Sequence, residues 1–182
     1  MAAPTRTPRG TWIQAGTRAL AGGGPDAVRI ESLAKEIGVT RGGFYWHFED
    51  RQALLDEILD AWERAAIGEV LERVERRGGD PRTKARRAGA MTLSDELVPV
   101  DLAVRDWARR DPAVATRLRR VDNQRMEYLR AQLRAIGVAA QEIEPRAMLA
   151  FSLVIGYHLI TADHGSQSRE QVLERAASWL LD

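Results

Sequence analysis

The stretch "VTRGGFYWHFED", residues 39–50, decides how the rest of the chain is read. Five aromatic or imidazole side chains, Phe44, Tyr45, Trp46, His47 and Phe48, follow two glycines in a chain that is only 6% Phe, Trp and Tyr. On a helix turning about 100° per residue, Phe44 and Phe48 fall on one side. Gly42, Gly43 and Trp46 fall on the opposite side, with Tyr45 and His47 flanking. Two rings can therefore join a core and three cannot easily do so. Each glycine costs a helix roughly 1 kcal/mol against alanine, yet removes a side chain that would hold a partner's backbone away. The short helix expected over Arg41–Phe48 thus presents a contact surface.

Immediately upstream, Ile30, Leu33, Ala34 and Ile37 recur at i, i+3, i+4 and i+7, the pattern of one helix face. Gly38 supplies the left-handed stop that a helix end prefers, Val39 can seal the turn, and Thr40 suits the N-cap of the next helix. Ala34 is small where the two helices must cross. Helix, tight turn and helix make a helix-turn-helix, whose second helix enters the major groove of DNA. The candidate DNA-contact residues are Arg29, Thr40, Arg41, Gly42, Gly43, Tyr45, Trp46 and His47. Arg41 can reach guanine or phosphate, Tyr45 and His47 suit phosphate, and Trp46 can pack on a thymine methyl or a sugar.

Helical periodicity continues along the chain without an alternating strand or internal repeat. A first helix spans about Thr11–Leu20 and ends at "GGGPD" (22–26). Asp50 can cap a helix that continues to Val74, with Leu54, Leu55, Ile58, Leu59, Trp62, Ala65 and Ala66 inward. The basic stretch "RRGGDPRTKARR" (76–87) reads as a solvated junction. Further helices are expected over 82–93, from Pro99, and from Asp111-Pro112 to Gly137. Another should start at Pro145 and end near Gly165. Ser168 with Gln171 forms a capping box for a last helix, whose Val172, Leu173, Ala176, Trp179 and Leu180 share a face. The sum is an all-α protein of nine helices.

Composition limits the function classes. The 182 residues are 45% apolar and 29% charged with a net charge of +1, so any nucleic-acid contact must come from local placement of charge. Without cysteine there is no disulfide and no thiolate metal site. The beginning of the chain lacks a signal peptide's apolar run, and the longest apolar stretch, 147–162, is shorter than the ~20 residues that span a bilayer. A cytoplasmic protein without a membrane partner is expected. His158, Asp163 and His164 do not share one helix face, and no catalytic or phosphate-binding motif is visible. Neither metal, cofactor nor enzyme activity is expected.

The run "VRIESLAKEIGVTRGGFYWHFEDRQALLDEIL" (28–59) resembles the DNA-binding head of the TetR family of bacterial transcriptional regulators. The resemblance rests on Ile30, Leu33, Ala34, Gly38, Val39, the Thr40–Phe48 run and the acidic pair before Leu54-Leu55. It implies a three-helix head, a connecting fourth helix, and a body that dimerises and binds a small effector. The corresponding division is 1–50 for the head and 51–182 for the body. The helix expected over 145–164 is apolar nearly all round and needs two partners. With the last helix it would form a two-fold interface through Phe151, Ile155, Leu159, Val172, Ala176, Trp179 and Leu180. An effector pocket, a family expectation, has Trp62, Met91, Leu102, Trp107, Met126, Tyr128, Leu129, Phe151 and Tyr157 as lining candidates. Few charges interrupt the apolar stripes, which favours a hydrophobic effector. The reading is a homodimeric repressor released from its operator by a small molecule; the alternative is a helical protein-interaction module without specific DNA binding.

Overall fold

Side-chain caps divide the chain into its elements. In the computed structural model, which describes residues 7–181, Asp50 accepts from the Ala53 amide at 2.8 Å and Asp80 from the Thr83 amide at 3.1 Å. Asp111 accepts from the Ala113 amide at 2.9 Å, just ahead of Pro112. Both halves of the Ser168–Gln171 capping box form, at 2.9 and 3.2 Å. Each cap satisfies amides that a helix start would otherwise leave bare.

The α-helices are α1 (Arg9–Gly23), α2 (Ile30–Glu36), α3 (Arg51–Glu63), α4 (Val70–Arg77), α5 (Pro81–Thr92), α6 (Val98–Ala108), α7 (Pro112–Ile136), α8 (Ala140–Leu159) and α9 (Arg169–Leu181). Short 3-10 segments lie at Pro25–Ala27 and Arg41–Trp46, and a π-helical segment at Arg64–Glu69 joins α3 to α4. No strand occurs among the described residues.

Two packing units result. The first takes the chain up to Gly68 together with Asp95–Arg119. Its core holds Trp12, Leu20, Val28, Leu33, Phe44, Leu54, Leu55, Ile58 and Val104. Gly16 lets α1 lie against α3, since a Cβ there would come 2.5 Å from Ile58 Cδ1. Polar groups also tie this unit. The Trp62 indole N–H donates to Asp101 at 3.2 Å, Arg105 donates to the same carboxylate at 2.9 Å, and Arg117 pairs with Asp60 and Glu63. The second unit comprises Glu69–Ser94 and the chain from Arg120 onward. Ala85, Met126, Leu133, Ala147 and Leu181 form its core, with Leu129, Ile136, Val138, Ile143 and Phe151 packed around them. A two-pronged Arg130–Glu144 pair, at 2.6 and 2.8 Å, joins α7 to α8.

Several expectations are corrected. The segment after the turn is 3-10 rather than α. Thr40 stands at its N-cap position without a side-chain cap; its carbonyl instead accepts from the Gly43 amide at 3.0 Å. Two successive glycines leave little side-chain packing to favour the wider α-turn. The rod from Asp50 is not uniform, because buried Ile58, Trp62, Ala66, Val70 and Val74 recur every four residues. A regular α-helix drifts about 40° per such step, and the π turn absorbs part of that drift. Pro145 lies inside α8, not at its start. Ile143 and Ala147 both meet the core, and keeping them in one stripe outweighs the amide hydrogen bond that proline forgoes. The same helix ends at Leu159, with Ile160 extended and its carbonyl taken by Arg169 at 2.6 Å. Residues 1–6, whose sequence bore on the signal-peptide question, lie outside the described residues.

Candidate nucleic-acid interface

Phe44 is the pivot of the recognition segment. Its ring is fully buried, edge-on to Trp12 at 5.3 Å and stacked on Phe48 at 5.1 Å. The segment's last turn carries both a three-residue and a four-residue bond to the Phe44 carbonyl, from the His47 amide at 2.9 Å and the Phe48 amide at 3.1 Å. That widening lets two rings four residues apart meet although the preceding turn is 3-10. Turning these rings inward turns Tyr45 and Trp46 outward; Trp46 is 72% exposed.

The upstream turn is a Schellman motif. The Val39 amide reaches the Ala34 carbonyl at 2.9 Å, the Gly38 amide reaches Lys35 at 3.3 Å, and Gly38 has φ +72°. It sets how the recognition segment leaves α2. Two arginines that sequence reasoning did not single out fix the rest. Arg9 donates to the His47 carbonyl at 3.2 Å and to Glu57 at 2.6 Å while its guanidinium lies 4.7 Å above the Phe48 ring. Arg51 donates to the Val28 carbonyl at 2.7 Å and to that of Pro25. Their partners lie 38 and 23 residues away, which no local pattern announces.

The eight candidate contact residues all lie in the helix-turn-helix. Arg29, Thr40, Arg41, Gly42, Tyr45 and Trp46 are exposed; Gly43 is half-buried. His47 is half-buried as well, where full exposure was expected, because Arg9 draws its backbone against α1. The Arg29 Nε donates to the Asp26 carbonyl at 3.1 Å. Arg41 meets Glu31 at 3.0 Å and the Tyr45 hydroxyl at 3.3 Å, contacts that hold its guanidinium further above the ordinary arginine range, Tyr45 contributing most. Lys35 adds an exposed cation on α2 that the sequence reading omitted.

The pocket candidates are divided. Trp62, Leu102 and Trp107 belong to the first unit; Met91, Met126, Tyr128, Leu129, Phe151 and Tyr157 belong to the second. Trp62, Trp107 and Met126 are buried and the others half-buried. Of the few charges expected within the apolar stripes, Asp101 and Arg125 are buried. Arg105 and Trp62 on Asp101, and Asp122 at 3.8 Å from Arg125, accompany those charges. The Tyr128 hydroxyl donates to Glu75 at 3.0 Å; burial first, and then this carboxylate, pushes the phenol well above its usual range.

In the proposed interface set, Leu159 and Trp179 are exposed, while Phe151, Ile155, Val172, Ala176 and Leu180 are half-buried. Met148 and Leu149, omitted from that set, are also exposed. Among the described residues no three His, Asp or Glu side chains are grouped to hold a metal ion, and no helix is long and apolar enough to cross a membrane.

Residues 13–58 match the family described as bacterial regulatory proteins, tetR family. The HTH-type transcriptional regulator AcrR of Shigella flexneri is 42% identical over 59 residues, 32% of this chain and 27% of that protein. The match thus spans about a quarter of its curated relative's length. Over nearly the full length, the fold is similar to a transcriptional regulator from Rhodococcus sp. Rha1, with TM-score 0.74, 25% identity, and 96% and 94% of the two chains covered. It is also similar to a transcriptional regulator of Saccharomonospora viridis solved in complex with choline, with TM-score 0.75, 18% identity, and 94% and 92% covered. Residues 13–58 thus belong to the tetR family of bacterial regulatory proteins, and over nearly its full length the chain shares the all-helical fold of transcriptional regulators.

Proposed function

We propose that the chain is a homodimeric DNA-binding transcriptional regulator, acting as a repressor that leaves its operator when a small molecule binds the body. The observation that carries the reading is the recognition segment: Phe44 and Phe48 are buried while Tyr45, Trp46, Arg41 and Gly42 face outward. The outward set combines a cation, a phenol, an indole and bare backbone, a chemistry suited to phosphates and base edges. Exposed Leu159 and Trp179 support pairing with a second copy, which would give two heads for one operator. An effector shifts operator affinity only as far as it prefers one dimer geometry. A binding place for such a molecule remains part of the proposal, as does a cytoplasmic location beside the chromosome.

The test is footprinting on the DNA flanking the protein's own gene, repeated over a salt series. A partly palindromic site with half-sites about one helical turn apart, or a multiple of it, is expected. Affinity should fall steeply with salt as phosphate contacts release counterions. Salt-insensitive binding, or protection of one isolated half-site by a monomer, would favour the protein-interaction module instead.

A further inference from the structure

We propose that Glu31 is a specificity-determining residue of the head: it holds the Arg41 guanidinium for a guanine edge and keeps it from acting as one more phosphate anchor. This rests on the DNA-binding reading and goes beyond it. Glu31 lies in the first turn of α2 and Arg41 opens the recognition segment, so their 3.0 Å pair bridges the two arms of the helix-turn-helix. Both side chains remain largely in solvent, 59% and 64% exposed, on the surface that would meet DNA.

A carboxylate there has an electrostatic consequence. DNA is a polyanion, and an unpaired glutamate facing it lowers affinity for every sequence alike. Paired with Arg41, it cancels most of the charge that the guanidinium would bring to a phosphate. What survives is hydrogen-bond geometry. An arginine has five N–H donors. Glu31 occupies one terminal nitrogen and the Tyr45 hydroxyl, at 3.3 Å, the other. The remaining donors can still offer a fork to guanine O6 and N7, the most frequent arginine–base contact. Two restraints on one guanidinium also reduce the rotamer freedom it would lose on binding. Arg29 and Lys35, exposed on or beside α2, remain for the phosphates.

A second carboxylate provides the control. Glu36, also on α2 and exposed, pairs instead with Arg18 on α1, at 2.6 Å. Glu31→Gln and Glu36→Gln change the net charge equally. Wild type first selects a duplex from a randomised pool; binding is then measured to that duplex and to a scrambled one of equal length, over a salt series. For Glu31→Gln, scrambled-duplex affinity should rise about two- to fivefold, the scale of an exposed ion pair. Its log–log salt slope should steepen by about 0.9, one further phosphate neutralised. The preference for the selected duplex should fall accordingly, while Glu36→Gln retains the wild-type ratio. Replacing guanines of the selected half-site by 7-deazaguanine, which lacks the N7 acceptor, should weaken wild type and cost Glu31→Gln less. Identical behaviour of the two glutamine variants, or indifference of wild type to 7-deazaguanine, overturns the inference. So does a lower melting temperature for Glu31→Gln with an unchanged ratio, the mark of a residue that only supports α2. Failure of the wild type to select any sequence would instead remove the DNA-binding reading itself, and this inference with it.

Discussion

Trp46 and Trp179 are almost equally exposed, 72% and 73%, yet their surroundings are opposite in kind. Trp46 stands in a segment with an arginine, a phenol and two glycines, beside a buried ring that the fold requires. Trp179 stands on the α8–α9 pair, whose other exposed large residues are Met148, Leu149 and Leu159, with Ile160 exposed just beyond α8. Only Ala147 of α8 is fully buried. Exposure alone therefore identifies neither site. Hydrogen-bonding neighbours and bare backbone suit a polar, charged partner; exposed apolar side chains suit another apolar face.

The largest effect should come from charging that second face. Leu149→Glu and Trp179→Glu alter exposed side chains, so the isolated protomer should fold as wild type does. In a dimer that buries about 2,000 Å² or more, each would place an uncompensated carboxylate in an apolar seam. A cost of about 3 kcal/mol or more is expected, over a hundredfold in the dimer dissociation constant. Sedimentation at micromolar concentration reads this directly, and operator binding should disappear although the head is untouched. A wild-type protein that sediments as a monomer with full operator affinity would remove the distinction between the two tryptophans.

Next in size is the contrast inside the recognition segment. Phe44→Ala empties a site closed by Trp12 and Phe48 and should cost about 3–5 kcal/mol of stability. Tyr45→Ala should cost less than about 1 kcal/mol of stability. It should weaken operator binding by about 1.5 kcal/mol or more if its hydroxyl meets a phosphate. Thermal melts and binding titrations on both variants separate the roles; equal melting of Phe44→Ala and wild type would mean that the inward and outward faces have been exchanged.

The order in which the sequence became legible follows the range of the interactions. Caps act within three residues, so Asp50, Asp111 and the Ser168–Gln171 box could be read directly. The inward face at Phe44 and Phe48 was legible because a four-residue bond from the Phe48 amide to the Phe44 carbonyl keeps their i, i+4 relation although the preceding turn is 3-10. Arg9 and Arg51 were not, since both reach carbonyls far along the chain. Pro145 misled because a local rule for helix starts met a tertiary demand, the burial of Ile143 and Ala147 in one stripe. The π segment did leave a trace, in buried residues spaced four apart from Ile58 to Val74, but only burial reveals which apolar positions to count.

The smallest effect probes the glycines. Gly43 does not have a positive φ, and a Cβ there would find its nearest neighbour, Trp12 Cζ2, at 4.0 Å. The fold therefore accommodates alanine at this position. Gly43→Ala should stabilise the head by about 0.4–1 kcal/mol, because the unfolded chain loses conformational freedom without strain in the folded one. At roughly 2–4 °C per kcal/mol, the melting temperature should rise by a few degrees at most. If the glycine is present to let a DNA backbone approach, operator affinity should fall in the same variant, since the added methyl stands where the partner must come. Stability and binding moving in opposite directions would tie Gly43 to the interface. An alanine variant that melts higher and binds as tightly would show that the glycine pair serves no contact, leaving Tyr45, Trp46 and Arg41 to carry recognition.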